Sequence, residues 1–184
     1  MRFLCVVMLA ALWAPTASAA EALASDKAIR AEVQAVERSI DRRFRDVRDA
    51  TPMAMLGTTR GFYLKGHGTV FTLELNLSPI AGLSPFRQSY SEEEKRQLNI
   101  RKRQRLETLE QKAREILIEE SAKLTLLPVE ETVTLAVSLF HFGWEDLTRL
   151  PSQLVMGAVK QVLDQGRAGM PAADLKQQIE VGYF

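Results

Sequence analysis

Between residues 26 and 50, apolar side chains fall at Ile29, Val33, Val36, Ile40, Phe44 and Val47, three or four residues apart. That spacing draws one stripe along a helix. The other faces are dense in charge, from Arg30 and Glu32 to Arg48 and Asp49, and Thr51-Pro52 is the stop signal. The spacing approaches a heptad but is not sustained long enough for a coiled coil, so the helix is expected to lie on its own sheet.

From Met53 to Leu77 the period falls to two, with Gly57, Gly61, Gly66 and Gly68 marking bends. Thr69, Phe71, Leu73, Leu75 and Leu77 share one face of a strand, and Val70, Thr72, Glu74 and Asn76 share the other. Phe62 to Lys65 pairs back across Gly66-His67-Gly68, giving an antiparallel hairpin over 61–77.

A loop over 78–85 leads to a second helix, Glu92 to Lys123, that opens on a capping box of Ser91 and Glu94. Its core stripe, Leu106, Leu109, Ala113, Ile116, Leu117 and Leu124, lies in the second half, while 92–105 offers only Leu98 and Ile100. The spacing predicts a helix that bends near Asn99 or projects its first half from the body. Thr132 to Phe142 reads as a central strand buried on both faces. After it, Leu150-Pro151-Ser152 opens a helix carrying Leu154, Val155, Ala158, Val159, Val162 and Leu163, stopped by Gly166. Pro171 to Gln178 adds one or two turns, and Ile179, Val181 and Tyr183 alternate as a closing strand. The fold class is α+β, with a mainly antiparallel sheet of three to five strands covered by amphipathic helices.

The first twenty residues carry an address. Met1-Arg2, the apolar run Phe3 to Trp13, and the small residues around Ala17-Ser18-Ala19 have the layout of a secretory signal peptide over 1–19, followed by one domain over 20–184. The run is too short and its end too polar for a membrane anchor. Cleavage removes Cys5, the only cysteine, and Arg2, one of 24 basic residues, leaving 23 of each sign. The mature chain is then free of thiols, which excludes cysteine nucleophiles and cysteine zinc sites, and its neutrality argues against nucleic acid as a partner.

Candidate chemistry is sparse. In Phe140-His141-Phe142-Gly143-Trp144-Glu145-Asp146, His141 can act as a base oriented by Glu145 or Asp146, with Trp144 flooring a pocket. The plainer account has His141 hydrogen-bonded at the sheet rim and Trp144 packed on the core. A zinc site from His67, His141 and Glu74 or Glu145 lacks the ligand spacing of known zinc motifs, and no metal or cofactor is expected. No nucleophile elbow or phosphate loop is present in the sequence. The basic run Arg101, Lys102, Arg103 and Arg105 suits a protein contact or an anionic membrane surface, although flanking glutamates balance it and successive residues spread around a helix.

The stretches 60–71 (Arg-Gly-Phe-Tyr-Leu-Lys-Gly-His-Gly-Thr-Val-Phe), 139–145 (Leu-Phe-His-Phe-Gly-Trp-Glu) and 150–153 (Leu-Pro-Ser-Gln) resemble an uncharacterised family of exported bacterial proteins. The resemblance implies a periplasmic or envelope setting and carries no catalytic residues with it. Together these features predict a non-enzymatic binding or accessory protein that meets an envelope partner through its long charged helix and the polar face of its sheet. The alternative is a periplasmic hydrolase using His141 with Glu145 or Asp146.

Overall fold

In the first helix, α1 (Thr16–Phe44), the stripe Ile29, Val33, Val36, Ile40 and Phe44 is buried as the spacing requires. The computed structural model describes residues 16–46, 53–79, 90–145 and 147–184. Residues 1–15 of the expected leader, Val47 with the Thr51-Pro52 stop, the loop over 80–89 and Asp146 lie outside the described residues.

Two short strands follow α1, β1 (Ala54–Met55) and β2 (Arg60–Leu64), and both pair antiparallel with the long β3 (Gly68–Asn76). Helix α1 lies so close to β2 that a Cβ on Gly61 would sit 2.4 Å from Val33 Cγ1. Its carboxylates also reach the strand's outer edge, where Glu37 accepts the Gly61 N–H at 2.6 Å and Asp41 accepts the Thr59 N–H at 2.8 Å. The β2–β3 turn ends at Gly68, whose φ of +119° and approach to the Thr132 carbonyl leave no room for a side chain.

Helix α2 (Glu92–Glu120) starts at the capping box foreseen at Ser91 and Glu94, and it is about 43 Å long at about 1.5 Å per residue. It carries the chain over to β4 (Thr132–Leu139), which pairs parallel with β3 from Gly68↔Thr132 to Leu75↔Leu139. The remaining ladders are antiparallel: β5 (Gln153–Val159) on β4, and β6 (Glu180–Tyr183) on β5 after the short helices α3 (Lys160–Arg167) and α4 (Ala172–Gln178). The α+β class holds, with a mostly antiparallel sheet of six strands rather than three to five.

Three expectations change. Residues 153–159 form a strand, not the first half of a helix, because Leu154, Met156 and Ala158 face the core opposite Val137, Leu135 and Val133. The helix begins only at Lys160. Strand β4 is central, yet only Val133, Leu135, Val137 and Leu139 are deeply buried. Its other face is half-buried, because the helices all pack on one side: residues of α1, α2, α3 and α4 share a single core with Phe71, Leu73, Leu135, Val137, Leu154 and Met156. Finally, the first half of α2 does not project, since Leu98 and Lys102 are wholly buried.

Candidate functional site

What covers the first half of α2 is the segment that leaves β4. Phe142 and Trp144 stack with ring centroids 5.2 Å apart and planes 9° from parallel, Tyr90 packs on Trp144 at 5.0 Å, and Phe140 meets Phe142 edge-on at 5.2 Å. This aromatic cap closes over an ammonium. Lys102 Nζ donates to Glu145 Oε1 at 2.5 Å, to Glu145 Oε2 at 2.7 Å and to the Phe140 carbonyl at 2.9 Å. Three acceptors satisfy its three N–H groups. Both charged side chains are shut off from solvent.

Glu145 is held further by the Phe142 N–H at 2.7 Å, within a tight turn that returns the Glu145 N–H to the Phe142 carbonyl at 2.9 Å. Burial alone would raise its pKa, but hydrogen bonds from His141, Lys102 and the Phe142 amide outweigh this and hold the carboxyl below its ordinary range. Burial draws the Lys102 pKa down, against the opposing pull of Glu145. His141 completes the network with its Nε2 3.0 Å from the Pro151 carbonyl and its Nδ1 3.5 Å from Glu145 Oε2. A carbonyl and a carboxylate both accept, so each of these contacts is a hydrogen bond only where the ring nitrogen donates.

His141 and Glu145, proposed as base and orienting acid, are therefore brought together, but in a closed arrangement. The imidazole is 10% exposed with both nitrogens occupied, and the carboxylate is committed to Lys102. This geometry ties a loop to a helix, and it presents no free base to a substrate. The two histidines of the zinc set are separated: His67 lies at the β2–β3 turn beside the start of β4, and His141 lies beyond its end. Eight residues of strand, about 25 Å, separate those ends. Among the described residues no cluster of three or more metal-ligating side chains exists.

The basic run is split by the helix. Lys102 is buried, Arg101 is half-buried, Arg105 donates to the Leu77 carbonyl at 2.7 Å, and Arg103 is exposed. Arg103 lines a cleft of about 630 Å³ with Lys95, Asn99 and Trp144, in which Lys95 pairs with Glu92 at 2.7 Å. A second groove, about 660 Å³, runs between α1 and β2 past Arg30, Glu37 and Tyr63.

The sheet face expected from sequence to meet a partner, alongside the charged helix, is the helix-free face. Register places Phe62, Val70, Thr134, Gly157 and Glu180 on one row across it, and Arg60, Thr72, Ala136, Val155 and Gly182 on the next. Its centre is uncharged, and Arg60 and Glu180 stand on opposite edge strands. Phe62 and Leu64 are each 56% exposed. The alternation in β3 signalled this face, but the misread helix at 153–159 hid its extent. No family model, curated protein or solved structure matches the chain.

Proposed function

We propose that this chain is an exported, non-enzymatic binding protein of a bacterial envelope, and that its partner sits on the helix-free face of the sheet rather than along α2. The signal-peptide layout over 1–19 and the resemblance carried by 60–71 and 139–145 support the setting. The observation that carries the binding role is the composition of that face. Small, uncharged residues (Val70, Thr72, Thr134, Ala136, Val155 and Gly157) fill its middle, charge stands at its margins in Arg60, Glu74 and Glu180, and large apolar side chains protrude at both edges, Phe62 and Leu64 on β2 and Phe184 after β6. Depletion of charge from the centre of a patch is the compositional mark of a protein interface. The basic run of α2 offers less, because Lys102 and Arg105 are spent inside the fold.

A photo-cross-linking residue at position 155, in the full chain expressed in a bacterial host, should give a covalent protein adduct on illumination. The same group at exposed position 104 on α2 should give none. An adduct at 104 with none at 155 would reverse the assignment.

A further inference from the structure

Resting on that reading of the helix-free face, we propose that its occupant is a second copy of this chain, packed face to face about a two-fold axis that runs along β4. The sheet order makes the face self-complementary. With β1 and β2 on one side of β3, the strands occupy five positions, and β4 is the middle one. A two-fold laid along β4 therefore sets β2 of one copy over β6 of the other, and β3 over β5.

Shape, charge and area agree with that axis. The protruding Phe62 and Leu64 lie on β2, and a hollow of about 360 Å³ lined by Thr134, Val155, Gly157 and Phe184 lies over β5 and β6. The axis sets Val70 over the other copy's Gly157 in the floor of the hollow, and brings Phe62, in the same row, over its rim against the stem of Glu180. Arg60 then faces the partner strand bearing Glu180, one row of same-face residues away, about 7 Å along the strand and within reach of an arginine side chain. Near the axis each copy presents Thr134 and Ala136, small enough for sheets to pack at about 10 Å. A two-fold laid across the strands would instead stack Arg60 on Arg60 and hollow on hollow. Five strand positions by about seven residues span roughly 24 by 23 Å, or about 1,100 Å² for the pair before the protruding rings are counted. That is close to the ~1,200 Å² at which specific interfaces begin, so a dimer dissociating on the order of micromolar is expected.

Sedimentation of the purified mature chain over a range of concentrations tests this. The wild type should dimerise, Ala136→Asp should leave a monomer with unchanged thermal melting, and Arg60→Glu or Glu180→Arg should each weaken the dimer about tenfold. The double charge reversal R60E/E180R should restore it. That rescue keeps the test decisive even where Ala136→Asp disturbs the fold. A wild type that stays monomeric at about 100 µM, far above the dissociation constant expected here, overturns the dimer, as does one in which the single reversals change nothing. The position-155 cross-link then separates the two ideas. An adduct of twice the chain mass supports the dimer; an adduct containing a different protein defeats the dimer but leaves the binding face standing; no adduct defeats both.

Discussion

From Leu109 to Leu117, α2 meets the sheet with Leu109, Ala113 and Ile116, each wholly buried, whereas from Leu98 to Arg105 the same helix buries Leu98 and the ammonium of Lys102. The aliphatic half is stabilised by apolar contact that is indifferent to direction. The polar half depends on one fixed geometry, in which Lys102, Glu145 and the Phe140 carbonyl must all be in place, beneath a cap of Phe142, Trp144 and Tyr90. A buried ion pair is weak evidence for net stability, but it discriminates strongly against every arrangement that leaves either charge alone. The first half of α2 is thus positioned by specificity, and the second by bulk burial.

Removing one partner of the pair should have the largest effect. Lys102→Ala leaves the Glu145 carboxylate buried without its cation and should lower unfolding stability by about 3–5 kcal/mol, read from urea denaturation. The double replacement K102M/E145L should recover most of that loss; if it is as damaging as the single change, the pair is not what distinguishes this half. In the aliphatic half, Ile116→Ala should cost about 2–5 kcal/mol through lost burial and the cavity left behind, with no companion change able to rescue it.

Smaller effects appear as pH dependence. The Glu145 carboxyl sits below its unfolded value, so the stability it contributes is present above the ordinary carboxylate range and is lost as pH falls through the folded value. Glu145→Gln should flatten the acid limb of a urea-midpoint profile between about pH 5 and 3. The smallest effect belongs to Tyr183, which donates to Glu110 at 2.5 Å and ties β6 to the aliphatic half of α2. Burial, with the hydrogen bond to Glu110, pushes its pKa up to about 12. Folding then favours the protonated phenol, so stability should decline as pH rises from about 10 towards 12, and Tyr183→Phe should remove that slope.

The same contrast explains what could be read from the chain. The α1 stripe, the β2–β3 hairpin and the half of α2 from Leu106 onward follow a single period, and each appears where that period puts it. Residues 153–159 obey two periods at once. Leu154, Val155, Ala158 and Val159 are spaced for a helix, while Leu154, Met156 and Ala158 alternate for a strand, and only the ladder to β4 decides between them. The polar half of α2 was hidden for a different reason, because its partner lies 43 residues away. A local signal did exist: Lys102 falls four residues after Leu98 and seven before Leu109, on the buried face of the helix. A cation in an apolar stripe asks for a buried anion, but nothing nearby in sequence says which. His141 and Glu145, by contrast, were legible as neighbours and illegible as to role, because what they do is set by Lys102 and Pro151.

The reach of α1 over the edge of β2 bears on how this chain avoids aggregation. Edge strands offer unpaired amides to any passing strand, and exposed apolar residues such as Phe62 and Leu64 invite such growth. Glu37 and Asp41 already occupy the outward N–H groups of Gly61 and Thr59, so an incoming chain must displace two anchored carboxylates before it can add to the sheet there. That protection lasts only while α1 is docked. Detachment of this one helix would uncover the β2 edge together with the core side chains that it covers, and so create a templating surface for fibrils.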